Sequence, residues 1–393
     1  MRLLHVISSV DPRYGGTVES IKQLAAAHAR LGHVTEVASV DDPRTPALAG
    51  HGLHLHALGP RLTHYSYAPR LVPWLTAHAD AYDAVIVNGL WQYPGYAVWR
   101  ALRNRDTPYF VFPHGMLDPW FKRTYPLKHV KKWLFWPWAD YRVLRDARAV
   151  LFTCEEERRL ARESFWLYRC NEAVVTLGTA VSTGDEASER ALFLERHPDL
   201  ANKRILLFLS RLHEKKGCDL LIDAFAAVAE RDPALQLVMA GPDQTGWRSV
   251  LETRARERGI AQRITWTGML EDGVKWGAYR CAEAFVLPSH QENFGIVVAE
   301  ALACGVPVLI SHQVNIWREV AADEAGLVEP DTATGTRALL ERWLALSPAA
   351  QTAMREAARR CYAQRFDSER AARRIEQALI AGGAGMATTA RAA

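Results

Sequence analysis

Two glutamates border an apolar run in HQENFGIVVAEALACG, residues 290–305. Glu292 precedes the run and Glu300 lies inside it, with seven residues between the two. An ionised carboxylate in apolar surroundings is costly unless a partner binds it. Carboxylates accept hydrogen bonds from hydroxyl groups, so this pair indicates a polyhydroxylated ligand.

Two cations follow the apolar run RILLFLS in the second half of the chain. Arg211 and Lys216 flank a strand-to-helix turn that ends at Gly217. A guanidinium fork and an ammonium point charge suit a diphosphate, and the amides of residues 293–295, at the start of an apolar helix, would face the same anion. A solvated charged loop is the alternative. The position after a strand and the presence of the glycine favour binding of the diphosphate. A ligand that carries both hydroxyl groups and a diphosphate is a sugar nucleotide.

The first half carries weaker signals of the same kind. Gly15 and Gly16 open a helix after the run LHVISS, where amides at a helix N-terminus could meet an anion; a plain tight turn is an equal alternative. His114 follows the run YFVFP, where a histidine could contact substrate or cap a turn. Trp91 follows the run AVIVNG. Each signal is weak alone, but all follow predicted strands.

Length and composition set the bounds. With 393 residues, 49% of them hydrophobic, the chain is long enough for two domains with separate cores. No apolar run is long enough to span a membrane, and the start MRLLHVISSVDP turns polar too soon for a signal peptide. Six scattered cysteines without a CxxC pair predict free thiols in a reducing cytosol. Residues 1–178 carry 22 Lys+Arg against 16 Asp+Glu, net +6, which leaves 26 against 28, net −2, for the rest.

Short uncharged apolar runs alternate with segments of helical periodicity along the whole chain. Such runs are typical of parallel strands buried on both faces, and a polar stretch near 179–203 separates two series of them. The pattern predicts an α/β fold of two Rossmann-like, doubly wound parallel-sheet domains facing a cleft. In such sheets ligands bind beyond the carboxyl ends of the strands, where the candidate residues fall. The predicted divisions are a domain at 1–180, a domain at 181–365, a helix at 366–382 that packs back on the first domain, and a disordered tail at 383–393.

The motifs SRLHEKKG and ENFGIVVAEALACGVPV resemble those of the family-4 retaining glycosyltransferases of the GT-B fold. Glu292 and Glu300 match the E-x7-E signature of that family, and Arg211 and Lys216 match its R-x4-K pair. The early GlyGly loop, PHG at 113–115 and MAGPD at 239–243 extend the resemblance over nearly the whole chain. PHGMLDPW and NGLWQYPGY are similar to a bacterial branch that acts in surface-polysaccharide assembly, in which a histidine often stands where this chain has Asn88.

The resemblance implies a role for each matching residue. Glu300 would bind the ribose hydroxyls and Glu292 a hydroxyl of the donor sugar. The phosphates and the base would contact further donor-binding residues. Together with the two glutamates, the donor-binding set is then Gly15, Gly16, Arg211, Lys216, Met269, Leu270, Asn293, Phe294 and Gly295. The first domain would take the acceptor and the second the nucleotide sugar. The implied catalytic set is His114, Arg211, Lys216 and Glu292.

The resemblance also implies an activity. It would be metal-independent transfer of a hexosyl group, with retention, from a UDP- or GDP-linked sugar to a glycan or polyprenyl-linked acceptor, in exopolysaccharide, O-antigen or capsule assembly. No Asp-x-Asp pair occurs in the chain, so no metal cofactor is expected. A phosphorylase or epimerase on the same architecture and a non-catalytic sugar-nucleotide sensor are the alternatives. Nucleic acid is a poor partner, because the basic residues form no broad stripe.

Three further clusters need an interpretation. His51, His54 and His56, with His64 nearby, lack the spacing and the supporting partners of a metal site and predict a plain surface loop. Arg158, Arg159 and Arg162 alternate with acidic residues 155–157 and predict an exposed charged face.

The stretch 118–142 combines four tryptophans with six Lys and Arg residues, five of them between positions 122 and 132. Aromatic rings favour a membrane interface, and lysines favour anionic headgroups. The stretch predicts a peripheral enzyme at the inner face of the cytoplasmic membrane, acting on a lipid-linked acceptor. A buried aromatic helix packed on its own domain is the alternative. The residues at issue are Trp120, Trp133, Trp136, Trp138, Lys122, Arg123, Lys128, Lys131 and Lys132.

Overall fold

The computed structural model describes residues 1–11, 16–45 and 52–385, which divide into two compact units. The first unit contains residues 1–178 together with the C-terminal segment from Ser368, and the second contains residues 179–367. Each unit holds a parallel β-sheet with helices in the connections. The predicted fold class of two doubly wound parallel-sheet domains is therefore confirmed.

The sheet of the first unit has the strand order β3-β2-β1-β4-β5-β6-β7 over the described residues, with parallel neighbours throughout. Strands β4, β5 and β6 are short, uncharged and buried, because helices cover both faces of such a sheet. Its elements are β1 (Arg2–Ile7), α1 (Gly16–Arg30), β2 (Val34–Ser39), β3 (His54–Ala57), α2 (Leu71–His78), β4 (Ala84–Asn88), α3 (Tyr93–Leu102), β5 (Tyr109–Phe112), α4 (Trp120–Thr124), α5 (Pro126–Phe135), α6 (Asp140–Asp146), β6 (Ala149–Phe152), α7 (Glu155–Ala161) and β7 (Glu172–Val174).

The sheet of the second unit has the order β10-β9-β8-β11-β12-β13. It repeats the arrangement of the first sheet. In both sheets the first three strands follow one another outward to one side, and the next strand pairs with the other side of the first strand. Its elements are α8 (Glu186–Arg196), β8 (Arg204–Leu209), α9 (Cys218–Val228), β9 (Leu235–Ala240), α10 (Trp247–Glu257), β10 (Ile264–Gly268), α11 (Asp272–Cys281), β11 (Ala282–Leu287), α12 (Ile296–Ala303), β12 (Val308–Ser311), α13 (Trp317–Ala322), β13 (Gly326–Glu329), α14 (Ala333–Ala345) and α15 (Pro348–Cys361).

The last helix, α16 (Ser368–Ala381), packs on α1 of the first unit. Arg30 Nε donates to Glu369 at 2.8 Å, and His33 Nε2 lies 2.8 Å from Glu376 Oε1. The polar face of α16 thus carries charges that pair with α1 and the turn after it. Residues 386–393 of the predicted tail lie outside the described residues.

The polar stretch at 179–203 differs from the linker that its composition suggests. Helix α8 occupies the middle of it and packs on α11 within the second unit. Arg280 on α11 donates to Glu189 of α8 at 2.5 Å, and a Cβ at Gly277 would lie only 2.0 Å from the Glu189 carbonyl oxygen. The stretch is polar because its charges pair across this contact.

Among the described residues, no helix combines the length and apolarity that crossing a membrane requires. All six cysteines are free thiols.

Candidate active site

In the second unit, the loops after β8 and β11 touch at the carboxyl edge of the sheet. These strands are neighbours at the point where the strand order reverses, where α/β sheets bind ligands. His290 donates its amide to the Lys215 carbonyl at 2.8 Å. Gly217 has φ +65°, and a Cβ there would lie 2.2 Å from the Pro288 carbonyl oxygen. Only glycine lets the two loops approach this closely.

This approach brings together two of the predicted residues, Lys216 and Glu292. The Lys216 ammonium donates to a Glu292 carboxylate oxygen, and their side chains are 9% and 21% exposed. Burial opposes ionisation of Glu292, but the charges of Lys216, Lys215 and Arg211 and the hydrogen bond from Lys216 hold its pKa below the usual value. The pair is therefore an ion pair within a site of net positive charge.

The remaining predicted residues of this loop lie next to the pair. Arg211 is exposed at the start of the turn after β8. Asn293 accepts a 3.4 Å hydrogen bond from Asn315, while Phe294 is 3% exposed and packs against Phe366 with ring centroids 5.6 Å apart. Gly295, with φ +74°, caps α12, so the helix N-terminus points toward the loop that carries Glu292. Phe294 thus acts through packing, and the backbone is what this segment offers a ligand.

Glu300 is buried, 3% exposed, in the second turn of α12. The Lys275 ammonium donates to one of its carboxylate oxygens at 2.8 Å, and the Tyr279 hydroxyl donates to the other at 2.9 Å. Sequence reasoning missed both partners. Their spacing of four residues places them on one face of α11, and this spacing was the available signal.

Met269 and Leu270 lie at the same sheet edge but farther from the pair. They follow β10, which β9 and β8 separate from β11. Met269 is 64% exposed, and the Gly268 carbonyl before it accepts the Gly241 amide at 2.7 Å. Their predicted contact with the base stays a prediction.

In the first unit, Asn88 joins two histidines at the carboxyl edge of the sheet. Its amide group donates to His5 Nδ1 at 3.1 Å and to the Ile86 carbonyl at 3.2 Å, and its carbonyl oxygen lies 3.1 Å from His114 Nε2. The Ile86 contact fixes the amide orientation, so His114 Nε2 is the donor to Asn88. Burial lowers the pKa of His5 and of His114 to about 4. Both rings are therefore neutral at pH 7.

Glu157 positions the loop that carries His114. Its carboxylate accepts the Gly115 amide at 2.6 Å, and the Thr153 amide and hydroxyl, each at 2.7 Å. Glu156 and Glu157 are buried, so the predicted exposed charged face is wrong for these two residues. Glu155, Arg159 and Arg162 are exposed as predicted, whereas Arg158 is half-buried. The position of Glu157 was the signal that could have identified it, because Glu157 follows β6 in the way that the other candidate residues follow their strands.

Two other predictions of the first half have separate outcomes. Gly16 is the exposed first residue of α1, and its carbonyl accepts the Ser20 hydroxyl at 2.9 Å; Gly15 lies outside the described residues. His54 and His56 lie in β3 and converge on Glu36, so the expectation of a plain surface loop is wrong for both. His51 lies outside the described residues.

The stretch 118–142 forms α4, α5 and the start of α6. None of the side chains of α5 is buried, so the alternative of a buried aromatic helix is wrong there, although Trp136 just after it is fully buried. Lys132 lies with its ammonium 4.5 Å from the centre of the Trp91 ring. A set of large apolar side chains is exposed, namely Leu127, Val130, Trp133, Leu134, Phe135, Trp138 and Trp166. We call this set the apolar patch.

Comparison with known proteins agrees with the geometry of both units. Residues 15–178 match the family profile described as a glycosyl transferase 4-like domain, and residues 192–361 match the profile described as glycosyl transferases group 1. This chain belongs to the family-4-like glycosyltransferases of the GT-B fold. The predicted family is thereby confirmed, and the two profiles fall on the two units.

Relatives of this glycosyltransferase include a D-inositol 3-phosphate glycosyltransferase of Actinosynnema mirum, 34% identical over 157 residues that cover 38% of this chain and 38% of the relative. Among solved structures, Anabaena HepE in complex with UDP and glucose has a TM-score of 0.76 at 18% identity, covering 97% of this chain and all of that one. WaaG, a glycosyltransferase involved in lipopolysaccharide biosynthesis, has a TM-score of 0.66 at 18% identity, covering 98% of this chain and 100% of that one. Likeness at such identity carries the fold alone.

Proposed function

We propose that this glycosyltransferase moves a hexosyl group from a nucleoside-diphosphate sugar to an acceptor, with retention of the anomeric configuration. The observation that supports it best is the Lys216–Glu292 ion pair at the point of strand reversal, beside the N-terminus of α12. Arg211 and Lys215 add positive charge there. A diphosphate meets cations and a helix N-terminus at such a place.

The surroundings of Glu300 suit a ribose. Each carboxylate oxygen has one described hydrogen-bond partner, Lys275 or Tyr279, and a carboxylate oxygen can accept about two hydrogen bonds. The carboxylate therefore keeps acceptor capacity for hydroxyl groups while α11 fixes its orientation. In this proposal the ribose hydroxyls bind Glu300, the base lies at Met269 and Leu270, and a sugar hydroxyl binds Glu292.

The proposed chemistry follows from where charge develops. When the bond between the sugar and the diphosphate breaks, the sugar gains positive and the diphosphate negative charge. Preorganised groups that face the developing charge lower the barrier, and Lys216 and Arg211 supply them without a metal. An acceptor hydroxyl attacks the sugar cation on the face that the diphosphate leaves and gives its proton to the leaving diphosphate, so the configuration is retained. His114 serves as a neutral substrate contact.

A thermal-shift panel of UDP- and GDP-linked sugars tests the donor site, since a ligand that binds only the folded state raises the melting temperature. Glu300→Gln and the milder Tyr279→Phe are expected to weaken binding of the stabilising donor by roughly 1–3 kcal/mol. Glu230→Gln, an exposed glutamate of the same unit, is the matched control. If both site variants bind the donor like wild type, the donor site lies elsewhere.

Turnover separates the proposal from its rivals. Transfer to an acceptor supports the transferase, whereas tight donor binding without turnover on any acceptor indicates a sensor. Sugar transfer to free phosphate indicates a phosphorylase, and interconversion of the donor itself indicates an epimerase. EDTA is expected to leave turnover unchanged. A loss that manganese or magnesium restores would contradict the metal-free mechanism.

We place the acceptor on a membrane, because the apolar patch faces solvent. Leu127, Val130 and Leu134 are spaced three and four residues apart, on one face of α5, and are 87%, 58% and 63% exposed. Exposed apolar patches of this kind mark interaction sites. Lys128 and Lys131 are exposed beside it and would meet anionic headgroups, each worth about 1 kcal/mol. The acceptor in this proposal is a glycan on a polyprenyl or other lipid carrier, as in surface-polysaccharide assembly.

Liposome co-sedimentation tests this placement. Wild type is expected to pellet with anionic vesicles more than with neutral ones, and Lys128→Glu with Lys131→Glu to abolish the difference. Leu127→Ser with Leu134→Ser is expected to reduce pelleting with both. Lys22→Glu with Lys203→Glu changes the net charge equally outside the patch and is the control. Equal pelleting of all proteins would contradict the proposal.

A further inference from the structure

A cluster of metal-binding side chain types lies at the opposite sheet edge of the first unit from His114. Glu36 is in β2, and His54 and His56 are in β3, its parallel neighbour, with Glu36 paired to His54 in the register. Residues two apart on a strand point to the same face, so both imidazoles point the same way. His56 Nε2 lies 2.7 Å and His54 Nδ1 3.1 Å from Glu36 Oε2.

Neighbouring residues hold the carboxylate in place. Arg2 of β1 donates to the other carboxylate oxygen at 2.8 Å, and the Tyr82 hydroxyl donates to Oε2 at 2.8 Å. The Glu36 side chain is 6% exposed, whereas His56 is 26% and His54 70% exposed. The cluster therefore has an anchored carboxylate on the protein side and an open imidazole on the solvent side. These supporting contacts, which the sequence did not reveal, are typical of metal sites.

Glu36 Oε2 is crowded with donors. His54, His56 and Tyr82 all lie within hydrogen-bond distance of it, although a carboxylate oxygen offers about two lone-pair positions. A cation bound jointly by the two imidazoles and the carboxylate would replace two of these contacts by one. The three ligand atoms lie within 4.8 Å of one another, which an ion at about 2.0–2.2 Å from each can bridge with a small adjustment.

We propose that Glu36, His54 and His56 bind one Zn²⁺ ion, with water at the remaining position on the exposed side. Two imidazole nitrogens and one carboxylate oxygen favour Zn²⁺ and its borderline neighbours over Mg²⁺ or Ca²⁺. The ion ties β3, the edge strand of the sheet, to β2 and through the Arg2–Glu36 contact to β1. It lies at the amino ends of these strands, so it supports the unit and takes no part in the proposed transfer reaction.

The experiment uses the full-length, untagged protein, stripped with EDTA and dialysed. Titration calorimetry with Zn²⁺ is expected to give one site per chain, and Co²⁺ to give the visible absorption of a low-symmetry complex. Zn²⁺ is expected to raise the melting temperature by mass action. Because His54 is exposed, His54→Ala with His56→Ala is expected to fold and to lose the saturable site and the Co²⁺ absorption. Tyr82→Phe, which leaves the ligands intact, is expected to weaken binding on the order of 10–100-fold.

His64→Ala removes an exposed histidine of the same unit and is expected to bind like wild type. The inference is overturned if wild type shows no site, or if the double variant keeps the same stoichiometry and Co²⁺ spectrum, since the ion then binds other residues. A rise in melting temperature shared by wild type and the double variant has the same meaning. None of these outcomes depends on transferase activity.

Discussion

The loops after β8 and β11 of the second unit join an ammonium to a carboxylate, whereas the end of β4 and the loop after β5 in the first unit join an amide to a neutral imidazole. Both sets stand at the carboxyl edge of a sheet with the same pattern of strand order. The second unit keeps its groups charged, as the lowered pKa of Glu292 shows. In the first unit, burial lowers the pKa of His5 and of His114 to about 4.

The comparison teaches that strand order determines where a site lies and burial determines its charge state. Glu292 keeps its charge because the Lys216 ammonium lies against it and part of the pair reaches solvent. His5 and His114 have no carboxylate partner among their described contacts, so desolvation prevails. A charged site suits an anionic donor, and a neutral one suits hydroxyl groups.

The largest effect is expected from a substitution in the charged site of the second unit. Lys216→Ala removes a cation that would face the leaving diphosphate, and we expect turnover to fall on the order of 10²–10³-fold with a smaller change in donor affinity. Steady-state kinetics together with donor titration measure the two effects. Lys203→Ala, exposed on the same unit, is expected to resemble wild type. A tenfold loss in affinity with unchanged turnover would instead make Lys216 a ground-state binding group.

A smaller effect is expected from a substitution beside the neutral site of the first unit, where Glu157 holds the loop that carries His114. Glu157→Gln places an NH₂ group against the Gly115 amide or the Thr153 amide, both of which donate to the carboxylate in wild type. We expect the free energy of unfolding to fall by about 1–3 kcal/mol and the acceptor KM to rise, because the His114 loop loosens. Urea denaturation and acceptor saturation curves measure these.

Glu155→Gln is the matched control for this substitution, since Glu155 lies on the same helix with a 57% exposed side chain. Surface ion pairs such as Glu155–Arg158 contribute about 0–1 kcal/mol. Equal stability of Glu157→Gln and Glu155→Gln would show that Glu157 does not hold the loop.

The smallest effect concerns Asp140, which accepts the Trp91 amide at 2.9 Å near the same loops. Burial raises its pKa to about 6, against the lowering contributions of the Trp91 amide and Lys132. A folded-state pKa above the ordinary value of about 3.9 means that wild type loses stability as pH rises from about 4 to about 6. Asp140→Asn lacks this dependence, so its stability relative to wild type should increase by roughly 2 kcal/mol between pH 4 and pH 7.

Denaturation curves at pH 4, 5, 6 and 7 measure the difference between the two proteins. Asp106→Asn, an exposed residue of the same unit, is expected to give the same difference from wild type throughout. A constant difference for Asp140→Asn as well would show that Asp140 ionises at its ordinary pKa.

Sequence reasoning predicted more of the second unit than of the first. Arg211, Lys216, Glu292 and Glu300 stand within two short motifs, and the structure brings Lys216 and Glu292 into contact. The first unit assembles its candidate site from single residues. His5 and Asn88 are 83 positions apart and Gly115 and Glu157 are 42 apart, so no motif contains either pair. Asn88 was noted only as a departure from a family pattern, and Glu157 was assigned to an exposed face.

The sequence by itself determined the two parallel sheets and the edge at which the candidate residues stand. Short uncharged apolar runs that alternate with helical segments are typical of parallel strands buried on both faces, and parallel strands place the residues that follow them on one edge. Only the tertiary structure decided the partners. Glu300 contacts Lys275 and Tyr279 because α11 lies beside α12. His54 and His56 contact Glu36 because of the register of β3 on β2. The apolar side chains of α5 face outward. These contacts depend on how neighbouring elements rotate and align against one another, and the hydrophobic pattern of one element does not specify which polar side chain of its neighbour it will meet.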